Sequence, residues 1–342
     1  MDTPAEVDAG KLGIPDLLSV LEAVAEACGQ EEADFMEADF FLIGALARDV
    51  LLEHIYGTKV PLTTGDVDVA VAVGSWQAYE DLRRRLVEEH GFEEGPEKQR
   101  LRSPEGTPLD LVPFGGVEEE GGKARFPPEG SPELTVLGFE AAWEAALPVR
   151  FDEGPDSEGP GGEEAVGKGA GGKGPVLRVA SLEGLALLKL LSWNERPRER
   201  TRDAQDLCLL LQHFYDARRA LITERHADLF DTDSFSKPKA SARALGRELA
   251  PLIRNPNLET LLVDLLRRET ADIHQSGLAR AMRAPGCHPQ IEMRFACLEA
   301  LLAGIDERLG PRKPGKPTFA CDAPRSARKD PLPPAGRPSV RF

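Results

Sequence analysis

Two aspartates stand at the start of an alternating run in this 342-residue chain. Asp66 precedes the segment Val67–Val73, in which valines alternate with Asp68, Ala70 and Ala72. Because successive side chains of a strand point to opposite faces, the valines share a buried face and the two carboxylates share the other. Neighbouring carboxylates repel each other, and a divalent cation such as Mg²⁺ or Mn²⁺ relieves that repulsion. The spacing predicts a metal site, with a solvated strand end as the alternative.

A third aspartate lies in the next apolar run that has the character of a strand. Asp110 is flanked by Leu109 and Leu111 within the segment 108–114. A carboxylate there is either desolvated at a large cost in free energy or points into a polar cleft beside the first two aspartates. Three carboxylates on adjacent strands can hold two Mg²⁺ ions roughly 4 Å apart for an in-line displacement at phosphorus. We therefore expect Asp110 to complete the site.

A strand, a glycine and a helix follow one another upstream of these aspartates. The run 40–43 is apolar and fits a buried strand, it stops at Gly44, and the segment 45–55 has helical apolar spacing. The backbone N–H groups at the N-terminus of a helix attract anions. The turn at Gly44 and Ala45 therefore predicts a cradle for the phosphates of a nucleoside triphosphate.

One lysine stands in a helix that is apolar almost all round. The pattern predicts this helix over 182–192, and Lys189 is the only cationic residue in it. A buried ammonium group needs an anion or a path to water. Lys189 therefore meets a phosphate in the cleft or extends its apolar stem until the charge reaches solvent.

The next predicted helix, over 201–215, carries two aspartates near its start. Asp203 and Asp206 are three residues apart and so share a helix face. Three roles are open for them. They could contact the base or ribose of a nucleotide, accept the charge of Lys189, or cap the helix and pair with Arg200 or Arg202.

The order of the predicted elements indicates an α+β fold, with a small mixed sheet and flanking helices followed by a helical domain. Strands are predicted over 40–43, 67–73, 101–102 and 109–112, and helices over 15–28, 76–90, 182–192, 201–215, 240–253, 258–268 and 290–309. The glycine-rich stretch 153–175 is predicted to be a flexible loop between two strands or a linker. We divide the chain into an N-terminal helix (1–30), a sheet domain (31–180), a helical domain (181–310) and a disordered basic, proline-rich tail (311–342).

Composition restricts the partners and the location of the protein. The chain has 42 Lys+Arg against 58 Asp+Glu, a net charge of −16, which argues against broad binding to duplex DNA. The tail is basic and could grip an RNA backbone or remain without a partner. No apolar run approaches the roughly 18 residues that span a bilayer, and the acidic N-terminus is unlike a signal peptide. The five scattered cysteines suggest neither a zinc site nor a disulfide scaffold, so we expect a cytoplasmic protein without membrane contact.

These motifs together resemble those of DNA polymerase β-type nucleotidyltransferases, and most closely the AbiEii-like branch of abortive-infection and type IV toxin proteins. The resemblance runs from about residue 40 to 215 and is carried by the segments 43–49, 64–68, 109–115, 188–193 and 202–207. In that superfamily the first two acids bind the metal ions, and the third completes the site and helps to activate the attacking hydroxyl group. The resemblance implies these roles for Asp66, Asp68 and Asp110, and it makes 31–180 the nucleotidyltransferase domain.

The same resemblance implies a set of nucleotide-binding residues. These are Gly44, Ala45, Thr64, Lys189 and Asp203. The residue after the glycine is usually Ser or Gly in the family, whereas Ala45 leaves only backbone donors for a phosphate.

The sequence thus predicts a nucleotidyltransferase that uses Mg²⁺ or Mn²⁺ and moves a nucleoside monophosphate group from a nucleoside triphosphate to a hydroxyl acceptor. The acceptor could be RNA such as tRNA, a protein or a small molecule. The resemblance also implies a type IV toxin-like role with an antitoxin or regulator encoded nearby. Two alternatives remain, a glycosyltransferase that uses its D-x-D pair to hold a nucleotide sugar, and a partner-binding scaffold with a vestigial site.

Overall fold

A mixed sheet carries the aspartates of the predicted site. The computed structural model describes residues 4–29, 39–60, 64–152, 174–230 and 235–310. The strands are β1 (Ala5–Asp8), β2 (Phe40–Ile43), β3 (Val67–Val73), β4 (Glu93–Glu94), β5 (Arg100–Arg102), β6 (Pro108–Gly115), β7 (Lys123–Arg125), β8 (Glu133–Thr135), β9 (Leu147–Asp152) and β10 (Val176–Val179). Within these ranges one sheet has eight strands in the order β1-β9-β10-β2-β3-β6-β5-β4, and β7 and β8 form a separate pair.

The central strand β3 sets the geometry of the site. It runs antiparallel to β2 and parallel to β6. Val67, Val69 and Val71 are buried, as their alternation predicts, whereas Asp68 is half-buried on the other face. Burial of that valine face fixes which side of β3 presents its carboxylate.

Helices alternate with the strands in the first part of the chain, and only helices follow β10. They are α1 (Leu17–Ala27), α2 (Gly44–Asp49), α3 (Trp76–His90), α4 (Phe139–Glu144), α5 (Leu182–Glu195), α6 (Thr201–Ala217), α7 (Arg219–Arg225), α8 (Lys237–Leu249), α9 (Pro256–Glu269), α10 (Gly277–Ala281) and α11 (Ile291–Leu309). A π-helical turn at Val50–Ile55 continues α2, so the helix predicted over 45–55 is present. The predicted α+β fold with a helical C-terminal part is confirmed.

The sheet is wider than the sequence indicates. The first strand, β1, was not predicted, and it pairs in parallel with β9 at the edge of the sheet. The predicted strands on either side of the glycine-rich stretch are present as β9 and β10, which pair antiparallel. The loop itself lies outside the described residues except for Gly174 and Pro175, and the tail over 311–342 also lies outside them.

The helical part packs against the sheet rather than standing apart from it. The described residues up to Leu309 form a single compact unit. Helix α5 is buried on nearly every side, as its apolar pattern predicts, and it contacts α4, α6, α8 and α9. The division into a sheet domain over 31–180 and a helical domain over 181–310 stays a prediction. Within the described ranges, every helix is too short or too polar to cross a lipid bilayer.

Candidate active site

The structure brings the three predicted aspartates to one place. In the parallel pairing of β3 and β6, Asp68 stands directly opposite Asp110, and Asp66 precedes β3 by one residue. A cavity of about 780 Å³ opens between the sheet and helices α5 and α6. It is lined by every residue predicted for the site, namely Gly44, Ala45, Thr64, Asp66, Asp68, Asp110, Lys189 and Asp203.

Gly44 lets the backbone pass close to Asp68. Ile43, the last residue of β2, stands opposite Asp68 in the sheet, and Gly44 follows with a φ of +74°. A Cβ atom at Gly44 would lie 2.0 Å from Oδ2 of Asp68. Glycine is therefore required here both for its left-handed conformation and for lack of space.

Thr64 shapes the approach to β3. Its Oγ1 accepts a hydrogen bond of 3.2 Å from the backbone N–H of Asp66. Short side-chain oxygens commonly stabilise turns by such local bonds. In this structure Thr64 positions the segment that carries the first carboxylate.

The charge of Asp68 is poorly compensated. Burial is the main cause that raises the pKa of Asp68 to about 7; the nearby carboxylates of Asp110 and Asp66 act in the same direction, and Lys189 opposes the shift. Among the described residues, no cation lies within ion-pair distance of the Asp68 carboxylate. A carboxylate in this state favours a proton or a bound cation.

Arg100 is a site residue that the sequence reasoning missed. It stands opposite Asp110 in the antiparallel pair of β5 and β6. Its Nε donates to Oδ1 of Asp110 at 2.8 Å, its Nη2 donates to Oδ2 at 2.6 Å, and Nη2 lies 3.9 Å from Asp66. This hydrogen-bonded contact with Asp110 raises the pKa of Arg100. The pairing of Leu101 with Leu109 is the signal that could have revealed it, because that register places Arg100 beside Asp110.

The donor atoms suit a divalent cation, although the side chains do not yet converge on one. Carboxylate oxygens are the ligands that Mg²⁺ prefers. In the described part of the chain, however, no three His, Cys, Asp or Glu side chains are placed to hold a metal ion together. Both oxygens of Asp110 are engaged by Arg100. Asp66, Asp68 and Asp110 therefore suit a metal ion in their chemistry, and in this structure Arg100 holds the carboxylate of Asp110.

Lys189 has carboxylate partners on the neighbouring helix. Its Nζ lies 2.8 Å from Oδ1 of Asp203 and 2.7 Å from Oδ2 of Asp206, and 11% of its side-chain surface is exposed. Burial by itself would lower the pKa of Lys189, but Asp206 and Asp203 outweigh burial and raise it. Of the roles left open for Asp203 and Asp206, the ion pair with Lys189 is thus present, and Arg200 also lies 3.9 Å from Asp203.

Arg48 extends this ion-pair network to helix α2. Its guanidinium bonds to Asp206 and to Asp49, the latter at 2.8 Å from Nε, and 1% of the residue is exposed. The network therefore joins α2, α5 and α6 through buried charges. Arg48 was not predicted as part of the site, since its partner lies 158 residues away in the chain.

Comparison with known proteins places these residues in a family. The chain matches the family model described as "Nucleotidyl transferase AbiEii toxin, Type IV TA system" over residues 52–285, which is more than half of its length. The matched region contains the three aspartates, Lys189 and Asp203, and it begins after Gly44 and Ala45. None of the curated proteins compared is a significant match. The solution structure of the antibiotic-resistance factor ANT(2'')-Ia is similar over 63% of this chain and 95% of that chain, with 13% identity and a TM-score of 0.29.

Proposed function

Because the chain belongs to the nucleotidyl transferase AbiEii toxin family, we propose that it moves a nucleoside monophosphate group from a nucleoside triphosphate to a hydroxyl acceptor with the help of Mg²⁺ or Mn²⁺. The observation that carries this proposal is the register of β3 and β6. It sets Asp68 opposite Asp110, with Asp66 close by, on the wall of one large cavity.

The turn at Gly44, beside Asp68, and the helical wall of the cavity would together hold the nucleotide. The helical segment formed by α2 and its π-helical continuation starts at Gly44, so the first backbone N–H groups are available for phosphate oxygens. From the helical wall, Lys189 and Asp203 would contact the nucleotide. Since Lys189 is paired with Asp203 and Asp206, it would reach a phosphate only by sharing those partners.

The three aspartates would have different roles in the reaction. Asp66 and Asp68 would hold the metal ion, which supplies stabilisation of negative charge on the phosphates. Asp110 would be a further ligand of the metal ion, and it would orient the acceptor hydroxyl and take its proton as the oxygen attacks the α-phosphorus. The bond between the α-phosphorus and the bridging oxygen then breaks, and pyrophosphate leaves.

Membership in the family also bears on the acceptor of the nucleotide group and on a regulator of the enzyme. RNA such as tRNA, a protein and a small molecule all offer the hydroxyl group that the reaction needs. The description of the family as a type IV toxin supports an antitoxin that restrains this protein. The match gives no support to a glycosyltransferase, and the three intact carboxylates argue against a vestigial site.

The test is the effect of Asp110→Asn on turnover and on nucleotide binding. We expect transfer of label from α-³²P nucleotides to fall by about 10²–10⁴-fold, because the nucleophile loses its orienting base. Binding of the triphosphate should be largely kept, since Asp66 and Asp68 remain. Pyrophosphate release, followed in parallel, detects turnover with an acceptor that was not anticipated.

Two further variants make this test specific. Asp264→Asn changes an exposed aspartate on α9 and should leave both turnover and binding unchanged. The double variant Asp66→Asn/Asp68→Asn should lose the rise in melting temperature that Mg²⁺ and a triphosphate give the wild type by binding the native state. Equal transfer by wild type and Asp110→Asn would contradict the assignment of Asp110.

A further inference from the structure

Arg100 is placed where it satisfies the charge of the third aspartate. The guanidinium engages both oxygens of Asp110 and faces Asp66 at 3.9 Å. Such a fork is the strongest common form of ion pair, because two parallel charge-assisted hydrogen bonds form at once. The side chain of Arg100 is 27% exposed and lines the cavity, so it can move without unpacking the core.

No other described cation serves these two aspartates. Among the ion pairs of the described ranges, Asp66 and Asp110 meet Arg100 alone. Lys189 is already neutralised by Asp203 and Asp206. The charge balance of Asp66 and Asp110 therefore depends on one partly exposed arginine.

We propose that Arg100 is a built-in counter-ion which competes with the divalent cation for the aspartates and so regulates loading of the site. The inference rests on the proposed function, because it assumes that Asp66, Asp68 and Asp110 take a metal ion. With Arg100 on Asp110, both oxygens of that carboxylate are occupied. A metal ion gains Asp110 only when the guanidinium leaves it.

The competition has a measurable consequence in the absence of nucleotide. Removal of the guanidinium leaves three acidic side chains around the site with no competing cation, so a divalent ion should bind more tightly. We expect Arg100→Met to bind Mn²⁺ alone about tenfold more tightly than the wild type, which equals about 1.4 kcal/mol. Mn²⁺ affinity is measured by the electron paramagnetic resonance signal of the free ion, and circular dichroism checks that the variant is folded.

Two controls separate competition from a general change of charge. Arg102→Met removes the same charge from the same strand, but Arg102 is exposed and donates to the carbonyl of Gly106 rather than to an aspartate. It should change Mn²⁺ affinity by less than about twofold, as expected for a screened surface charge. Arg100→Lys keeps the charge but loses the fork, so its affinity should fall between those of wild type and Arg100→Met.

The outcomes distinguish this inference from the proposed function. Tighter Mn²⁺ binding by Arg100→Met, with Arg102→Met unchanged, supports the counter-ion. If the wild type binds Mn²⁺ through Asp66 and Asp68 and Arg100→Met binds no more tightly, the counter-ion is wrong and the metal site stands. If neither the wild type nor Arg100→Met binds Mn²⁺ at millimolar concentration, the counter-ion and the metal dependence of the proposed function are both wrong.

Discussion

Lys189 and Asp68 face the same cavity but differ in how their charges are satisfied. Lys189 has two carboxylates within 2.8 Å, and one of them, Asp206, is also bound by Arg48. Asp68 has a pKa raised to about 7, because it is buried and lies beside other acids. The first group is a finished ion-pair network that joins elements of the fold. The negative charge of Asp68, by contrast, has no neutralising partner among the described residues, and a carboxylate in that state favours the binding of a cation.

At Gly44, substitution by alanine tests how closely the backbone approaches Asp68. Gly57 is the matched control, because its φ of +67° is similar to that of Gly44 and no atom lies near its hypothetical Cβ. Both variants carry the strain of a left-handed L-residue, but only Gly44→Ala places a methyl group 2.0 Å from the Asp68 carboxylate. We expect Gly44→Ala to lower the free energy of unfolding by about 1–3 kcal/mol more than Gly57→Ala, measured by urea denaturation. Equal losses would mean that the carboxylate moves aside freely.

Among the elements, the pair α8 and α11 shows how glycine in a helix can be offset by close packing, so that the free energy of unfolding is not reduced. A Cβ at Gly246 would lie 2.2 Å from the carbonyl oxygen of Leu301, and one at Gly304 would lie 2.1 Å from that of Arg243. The two helices therefore touch through their backbones. Salt bridges from α8 to Glu307, including Arg247 Nε at 2.6 Å, run beside the contact. Close approach offsets the roughly 1 kcal/mol by which glycine disfavours a helix.

The helix contact predicts an unusual response to a helix-favouring substitution. Gly246→Ala raises helix propensity, yet its methyl group overlaps the backbone of α11, so we expect the free energy of unfolding to fall by about 1–3 kcal/mol. Gly277→Ala in α10 is the control, because its Cβ would meet Trp193 at an ordinary 3.6 Å, and it should be neutral or slightly stabilising. Chemical denaturation of both variants compares them. A Gly246→Ala protein as stable as the wild type would show that α8 and α11 can separate without loss.

For the molecule as a whole, a buried histidine and a half-buried one connect stability to pH. His226 is fully buried, its Nε2 lies 2.8 Å from Glu248, and its Nδ1 lies 3.4 Å from Nη1 of Arg247. Burial lowers the pKa of His226, and the positive charges of Arg247 and Arg308 add to this, although Glu248 opposes it. Burial also lowers the pKa of His213. In both cases the folded protein resists a proton that the unfolded chain accepts.

The sign of the pH effect follows from that difference. Below about pH 6.5, the ordinary pKa of histidine, the unfolded state binds a proton that folded His226 does not. The free energy of unfolding therefore decreases as the pH is lowered, until the pH is below the lowered pKa of the folded state. His226→Gln removes this effect and keeps a side chain that can donate to Glu248. The free energy of unfolding of the wild type, relative to His226→Gln, should therefore decrease as the pH is lowered from 8 to 5. Urea titrations at several pH values measure it, and parallel curves for the two proteins would contradict the prediction.

Local patterns were enough to predict much of the fold and part of the site. Helix α3 begins and ends where the sequence indicates, because apolar spacing and the cap at Ser75 are properties of neighbouring residues. The alternation in Val67–Val73 likewise determines that its valines face inward and Asp68 faces the other way. The strand-glycine-helix turn at Gly44 is local in the same sense.

Tertiary structure alone decided which charged groups meet. The register that sets Asp68 against Asp110, the fork of Arg100 and the bond from Arg48 to Asp206 all join residues brought together by long-range packing. Register depends on which apolar faces bury against each other across the sheet, and a shift of one residue would turn Asp110 to the opposite face. The sequence therefore determined that acids stand ready on two strands, and the fold determined that they face a common cavity with an arginine between them. The reason is that alternation along one strand decides which of its side chains share a face, whereas the residues that these side chains contact depend on how all the strands and helices pack together.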